Sequence, residues 1–142
     1  MNSRHTLILA ALVLRASSMA PGSADAARRD KEEERVALYP DATREEPKAG
    51  FSSRLAKQIK KLQDAYAGEG TEAETVAVAE EILANEKAQP YDRAMAALLA
   101  GSASTAIGDD AKAETYFTRA IDENALSNDN HYTAMLSLAS VY

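Results

Sequence analysis

The sequence predicts an all-α protein made of stacked helical hairpins, and three observations carry that expectation. Apolar residues recur at helical steps of three and four through residues 52–142, with no alternating strand pattern. Glycine, proline and cap residues punctuate that region at regular places. The pattern also repeats at an interval of 38 residues. Its clearest copy is Ala97-x-x-Ala100-Gly101-x-x-Ser104, then Gly108, then Ala113-x-x-x-Phe117-x-x-Ala120. One interval later stands Met135-x-x-Leu138-Ala139-x-x-Tyr142. One interval earlier stands Ile59-x-x-Leu62-Gln63-x-x-Tyr66, followed by Gly70, Ala79 and Ile82. Repeats of this length are helix pairs, none of which buries its apolar face alone.

The chain begins with Arg4 and His5, then eight apolar residues at 7–14, then Pro21-Gly22 and the small-x-small run Ala24-Asp25-Ala26. This is the order of a secretory signal. The apolar run is far shorter than the roughly 20 residues that span a bilayer. A signal peptide is expected over 1–26, cleaved after Ala26, with the product in a Gram-negative periplasm or secreted. A short core helix is the other reading of the run, and Arg15 departs from the signal pattern. Residues 27–51 read as a mostly irregular leader. Positions 28–35 carry four positive and four negative side chains, which is the pattern of a solvated segment. Pro40, Pro47 and Gly50 forbid a continuous helix there. Val36, Leu38 and Tyr39 are the apolar residues of the leader that can dock on the first repeat.

Ser52 or Ser53 caps a first helix running to about Ala67. Leu55, Ile59, Leu62 and Tyr66 form its buried stripe, and Gly68 and Gly70 end it. Thr71-x-x-Glu74 reads as a capping box for a second helix carrying Val76, Ala79, Ile82 and Leu83 inward. Pro90 suits the first turn of a third helix, whose contact face is Ala94, Ala97, Leu98 and Gly101. Gly108 ends it. Asp109 or Asp110 starts a fourth helix with a stripe of Ala113, Phe117, Ala120 and Ile121. A fifth begins near Asp129 and buries Met135, Leu138 and Tyr142.

These residues resemble the tetratricopeptide repeat, whose pattern is W-x2-L-G-x2-Y, then A-x3-F, then P. Gly101, Ala113 and Phe117 match the G and the A-x3-F pair. Leu62 with Tyr66, and Leu138 with Tyr142, match the L and Y of the flanking units. Ile59, Ala97 and Met135 stand in place of Trp, Gln63 in place of the first Gly, Ala125 in place of Pro, and Thr75 in place of Ala, where the register can be off by one. The units fall at about 56–89, 94–127 and 132–142, the last incomplete, so a truncated reading frame is expected; the other reading makes the fifth helix itself the cap. The resemblance implies an α-solenoid similar to exported repeat proteins of proteobacteria. It also implies a concave face, lined by the first helix of each pair, that holds a protein or peptide. Carried onto this chain, that face is Lys57, Lys60 and Asp64, then Met95, Leu98, Ser102 and Thr105, then Thr133, Leu136 and Ser140; packing of Met95 and Leu98 against a neighbouring helix, and a solvated face for the lysines, are the other readings. Asp64 stands where a carboxylate-clamp repeat needs Asn, so capture of a C-terminal carboxylate is not expected.

Composition narrows the chemistry. A formal charge of −6 argues against nucleic acid, which needs a concentrated basic surface. With no cysteine, disulfides, thiolate chemistry and cysteine zinc sites are excluded. His131 reads as a capping or exposed histidine, with no second histidine at ligand spacing. The pairs Asp109-Asp110 and Glu80-Glu81 are adjacent, so they diverge on a helix rather than face one bond. No catalytic constellation, cofactor or metal is expected. The expected function is a non-enzymatic scaffold or assembly factor of the cell envelope, without stable membrane insertion once the signal is cleaved. The rivals are an accessory module of a longer enzyme and an adaptor tethered by an uncleaved signal.

Overall fold

The structure, a computed structural model, describes residues 37–142. The expected signal peptide at 1–26 and the charged run at 28–35 lie outside the described residues, as does Val36. The described residues form five α-helices and no strand. They are α1 (Ala56–Ala67), α2 (Glu72–Leu83), α3 (Pro90–Ala106), α4 (Asp110–Asp122) and α5 (Asn128–Val141). A 3-10 turn, Ser53–Leu55, leads into α1.

Local chemistry explains most of the boundaries. Pro90 is the first residue of α3, and Asp92 two positions on accepts the Gln89 amide at 2.9 Å. Asp109 caps α4 by accepting the Lys112 amide at 3.1 Å. Gly70 and Gly108 take the left-handed conformation, with φ of +70° and +75°. Gly68 instead ends α1 with extended backbone. The expected capping box at Thr71 is absent. Its hydroxyl turns back to α1 and donates to the Ala65 carbonyl, and its side chain accepts no bond from the first turn of α2.

Consecutive helices, joined by short loops, pack side by side, and α3 is buried on two faces. Ala96, Ala100 and Ala103 meet Leu55 of the 3-10 turn, Ile59 and Leu62 of α1, and Val76, Ala79 and Ile82 of α2. Ala94, Ala97 and Leu98 meet Ala113, Phe117 and Ala120 of α4, with Leu126 and Ala134. Alanine on both faces of α3 lets the backbones approach closely. At Gly101 the approach leaves no room for a side chain: an added Cβ would lie 2.7 Å from Phe117 Cδ1 and Cε1. Thr75 is fully buried, in line with Ala79 and Ile82, and its hydroxyl donates to the Thr71 carbonyl at 3.1 Å.

Three expectations are corrected. Tyr66 is exposed, and Ala65 closes the α1 stripe instead. In α5 the inward residues are His131, Ala134, Leu138 and Val141, whereas Met135 (46 % exposed) and Tyr142 face out. The rotation follows from Ala134, whose small side chain lets α5 settle against α4. The leader docks on the last helix, not on the first repeat. Asp129 Oδ1 accepts the amides of Leu38 at 2.9 Å and Tyr39 at 3.3 Å. Arg44 donates to the Asn124 side chain and carbonyl, the Leu126 carbonyl and Asn128 Oδ1, all within 2.9–3.0 Å. These acceptors sit in the α4–α5 turn and at the start of α5, where carbonyls and side chains have no helical partners.

Candidate functional site

The helix arrangement opens a cleft of about 300 Å³ where α3, α4 and α5 meet. Ser102 and Thr105 line it from α3, Ser137, Ser140 and Val141 from α5, and Asp110 and Phe117 from α4. Of the residues the sequence assigned to a concave face, Ser102, Thr105 and Ser140 come together here. Their hydroxyls donate within their own helices: Ser102 to the Leu98 carbonyl at 3.1 Å, Thr105 to Gly101 at 3.0 Å and Ser140 to Leu136 at 2.9 Å. What they offer the cleft is acceptor oxygens. With the Asp110 carboxylate beside them, the cleft favours groups that donate hydrogen bonds.

The other assigned residues do not join it. Lys57, Lys60 and Asp64 line a separate depression between α1 and α2, with Lys61, Thr71 and Glu74. Lys60 and Asp64 already pair at 2.7 Å on an exposed surface, and such pairs contribute little. Leu98 is 7 % exposed and belongs to the α3–α4 core. Its neighbours Ala94, Ala97 and Gly101 turn that face of α3 toward α4, so it cannot line a groove. Met95 is half-buried against Asn130, whose Nδ2 lies 3.7 Å from Sδ. Thr133 is exposed and donates to the Asp129 carbonyl at 2.7 Å. Leu136 is 59 % exposed and does not line the cleft.

Several polar residues of consequence gave little signal in the sequence. Asp92 is fully buried and accepts the Ser52 amide at 2.9 Å as well as that of Gln89. Burial alone would raise its pKa. The hydrogen bonds from Ser52 and Gln89 and the Arg93 charge outweigh that and hold the carboxyl below its ordinary value. An acidic residue just after Pro90 was the available clue. Arg93 meets Glu123 through two bonds of 2.8 Å, and Arg119 adds a third at 2.8 Å. The bond from Arg93, reinforced by Arg119 and the two positive charges, lowers the Glu123 pKa against the effect of burial. Residues 30 apart carry no local signature of such a pair.

His131 is buried rather than capping or exposed, and its pKa is lowered by burial first and by the Arg44 charge second. Its ring lies edge-on to Tyr132 at 5.9 Å. Among the described residues no group of three or more potential metal ligands gathers, and no helix is long and apolar enough to cross a membrane.

No family model matches the chain. No curated protein and no solved structure matches it either.

Proposed function

We propose that the chain is a non-enzymatic helical repeat protein of the tetratricopeptide type that holds a protein or peptide partner, acting as a scaffold or assembly factor. The single observation that carries this reading is the α3–α4–α5 cleft. It gathers three residues that the repeat register had assigned to a partner-binding face, and it adds the Asp110 carboxylate. Acceptor oxygens over the apolar floor of Phe117 and Val141 suit a segment that presents backbone N–H groups or a basic side chain. The basic end of the expected groove is not continuous with this cleft, so the proposed surface is smaller and more acidic than the sequence implied.

Export to the periplasm or beyond rests on residues 4–26 alone. Mass measurement of the exported protein tests it, with a start at Ala27 as the expected result. The binding reading is tested with envelope extracts and immobilised protein. A partner retained by the parent chain should be lost with Ser140→Trp, which fills the cleft, and weakened with Asp110→Asn. Equal recovery by variants of unchanged helical content would count against the cleft.

A further inference from the structure

A second cleft, of about 210 Å³, lies where α1, α2 and α3 meet. Tyr66 lines it from α1, Thr71, Glu72 and Thr75 from the start of α2, and Ser102 and Ala103 from α3. Ser102 also lines the α3–α4–α5 cleft, so the two adjoin at that residue. They are one arrangement repeated. Advanced by 38 residues, Glu72, Ser102 and Ala103 become Asp110, Ser140 and Val141, and all three of these line the first cleft. Each carboxylate is the first residue of the second helix in its unit, α2 or α4. Each serine stands on the first helix of the following unit, α3 or α5. The chemistry repeats with the positions. Thr71 donates to the Ala65 carbonyl and Thr75 to the Thr71 carbonyl at 3.1 Å, as Ser102 and Ser140 donate within their own helices. These hydroxyls therefore offer acceptor oxygens. Among the described residues, the Glu72 and Asp110 carboxylates have no hydrogen-bond or ion-pair partner, and no lysine, arginine or histidine lines either cleft. In the depression that adjoins the second cleft at Thr71, Lys60 and Lys61 are paired with Asp64 and Glu81.

We propose that the two clefts are successive subsites for one extended basic segment of a partner protein, with Glu72 and Asp110 each taking one arginine or lysine side chain and the segment crossing α3 at Ser102. This rests on the partner-binding reading of the first cleft and adds the class of partner and its spacing. Charge complementarity selects the occupant: unpaired carboxylates and acceptor oxygens repel an acidic segment and leave the donors of a basic one satisfied. The spacing follows from the repeat. The helices α1, α3 and α5 touch in turn, and helices in contact lie about 8–10 Å apart. A polyproline-II segment rises about 3.1 Å per residue with three residues per turn, so side chains three apart share a face and stand about 9 Å from each other. Two basic residues in that register reach both subsites at once, whereas two adjacent ones point to different sides of the segment.

The probes are fluorescein-labelled proline- and serine-rich peptides that carry one arginine, two adjacent arginines, or two arginines three residues apart, titrated against the full chain and followed by anisotropy. The spaced pair should bind about tenfold more tightly than the single arginine, and the adjacent pair no better than the single one. Binding of the spaced pair should weaken as salt is raised. Glu72→Gln should remove the advantage of the second arginine, and so should Asp110→Asn, with helical content unchanged in both variants. The proposal is overturned if no peptide binds, if the adjacent pair matches the spaced pair, or if Glu72→Gln leaves the advantage intact. Spermidine that competes as effectively as the spaced peptide would assign the clefts to a free polyamine and also overturn it. If the single-arginine peptide binds and is lost with Ser140→Trp, while the second arginine and Glu72→Gln change nothing, this proposal fails and the α3–α4–α5 cleft stands. If peptide binding survives Ser140→Trp, that cleft fails and this proposal with it.

Discussion

Replacing Gly101 with alanine tests the packing that organises this fold. In an exposed helix the change stabilises by about 1 kcal/mol, because alanine restricts the unfolded chain and suits the helix. Here the new Cβ would stand 2.7 Å from Phe117 Cδ1 and Cε1 and 3.1 Å from Cγ. The ring has little room to retreat, since Phe117 is almost wholly buried between α3 and α4. Overpacking of this kind costs about 1–3 kcal/mol, and three ring atoms in conflict put it at the upper end. The net effect is a loss of about 1–2 kcal/mol after the helix-propensity gain. Urea unfolding followed by far-ultraviolet circular dichroism should show a midpoint lowered by about 1 M at unchanged slope. Phe117→Leu alone should also destabilise, through the cavity it leaves. The double variant should be more stable than the sum of the two losses predicts, because leucine yields the space that the added methyl group needs. A raised midpoint for Gly101→Ala, or strict additivity in the double variant, would refute the close approach of α3 and α4.

Four further outcomes are expected. Arg44→Ala removes every side-chain bond between Arg44 and the α4–α5 turn, so amide exchange at Leu38 and Tyr39 should accelerate while exchange in α1 and α2 stays unchanged. Glu123→Gln weakens charge-assisted bonds to both Arg93 and Arg119 and should cost about 1–2 kcal/mol in urea unfolding. Asp92 has a lowered pKa, so its contribution is present above the unfolded value near 4 and is lost as pH falls through the folded one; Asp92→Asn should flatten stability against pH in that acid range. His131 also titrates lower in the folded chain, so the unfolded chain binds the extra proton and stability should fall as pH drops below about 6.5, a slope that His131→Phe removes.

What the sequence made legible follows the reach of each signal. Helix existence and start are local matters, so Pro90, Asp109, Gly70 and Gly108 marked their places correctly. The stripes of α2, α3 and α4 were legible because each is flanked by helices on more than one side, which leaves one rotation compatible with burial. Thr71 misled because a hydroxyl that can cap forward can also donate backward, and the Ala65 carbonyl at the end of α1 was in reach. The polar contacts of Arg93 with Glu123, Arg44 with the α4–α5 turn, and Ser52 with Asp92 all join residues that are distant in sequence. No periodicity encodes such partners.

The site was legible only in part, and α5 explains why. Its sequence offers two apolar faces, one with Ala134, Leu138 and Val141, the other with Tyr132, Met135, Leu136 and Ala139. Hydrophobic size favours the second as the core, and the Met135 and Tyr142 positions of the repeat pattern point toward it. Packing against α4 selects the first, because a small residue at 134 allows closer contact than methionine at 135 would. Leu98 and Leu136 stand one 38-residue interval apart, yet Leu98 is buried where α3 meets α4 while Leu136 is exposed. A leucine at a supposed groove position is therefore better read as half of a helix–helix contact.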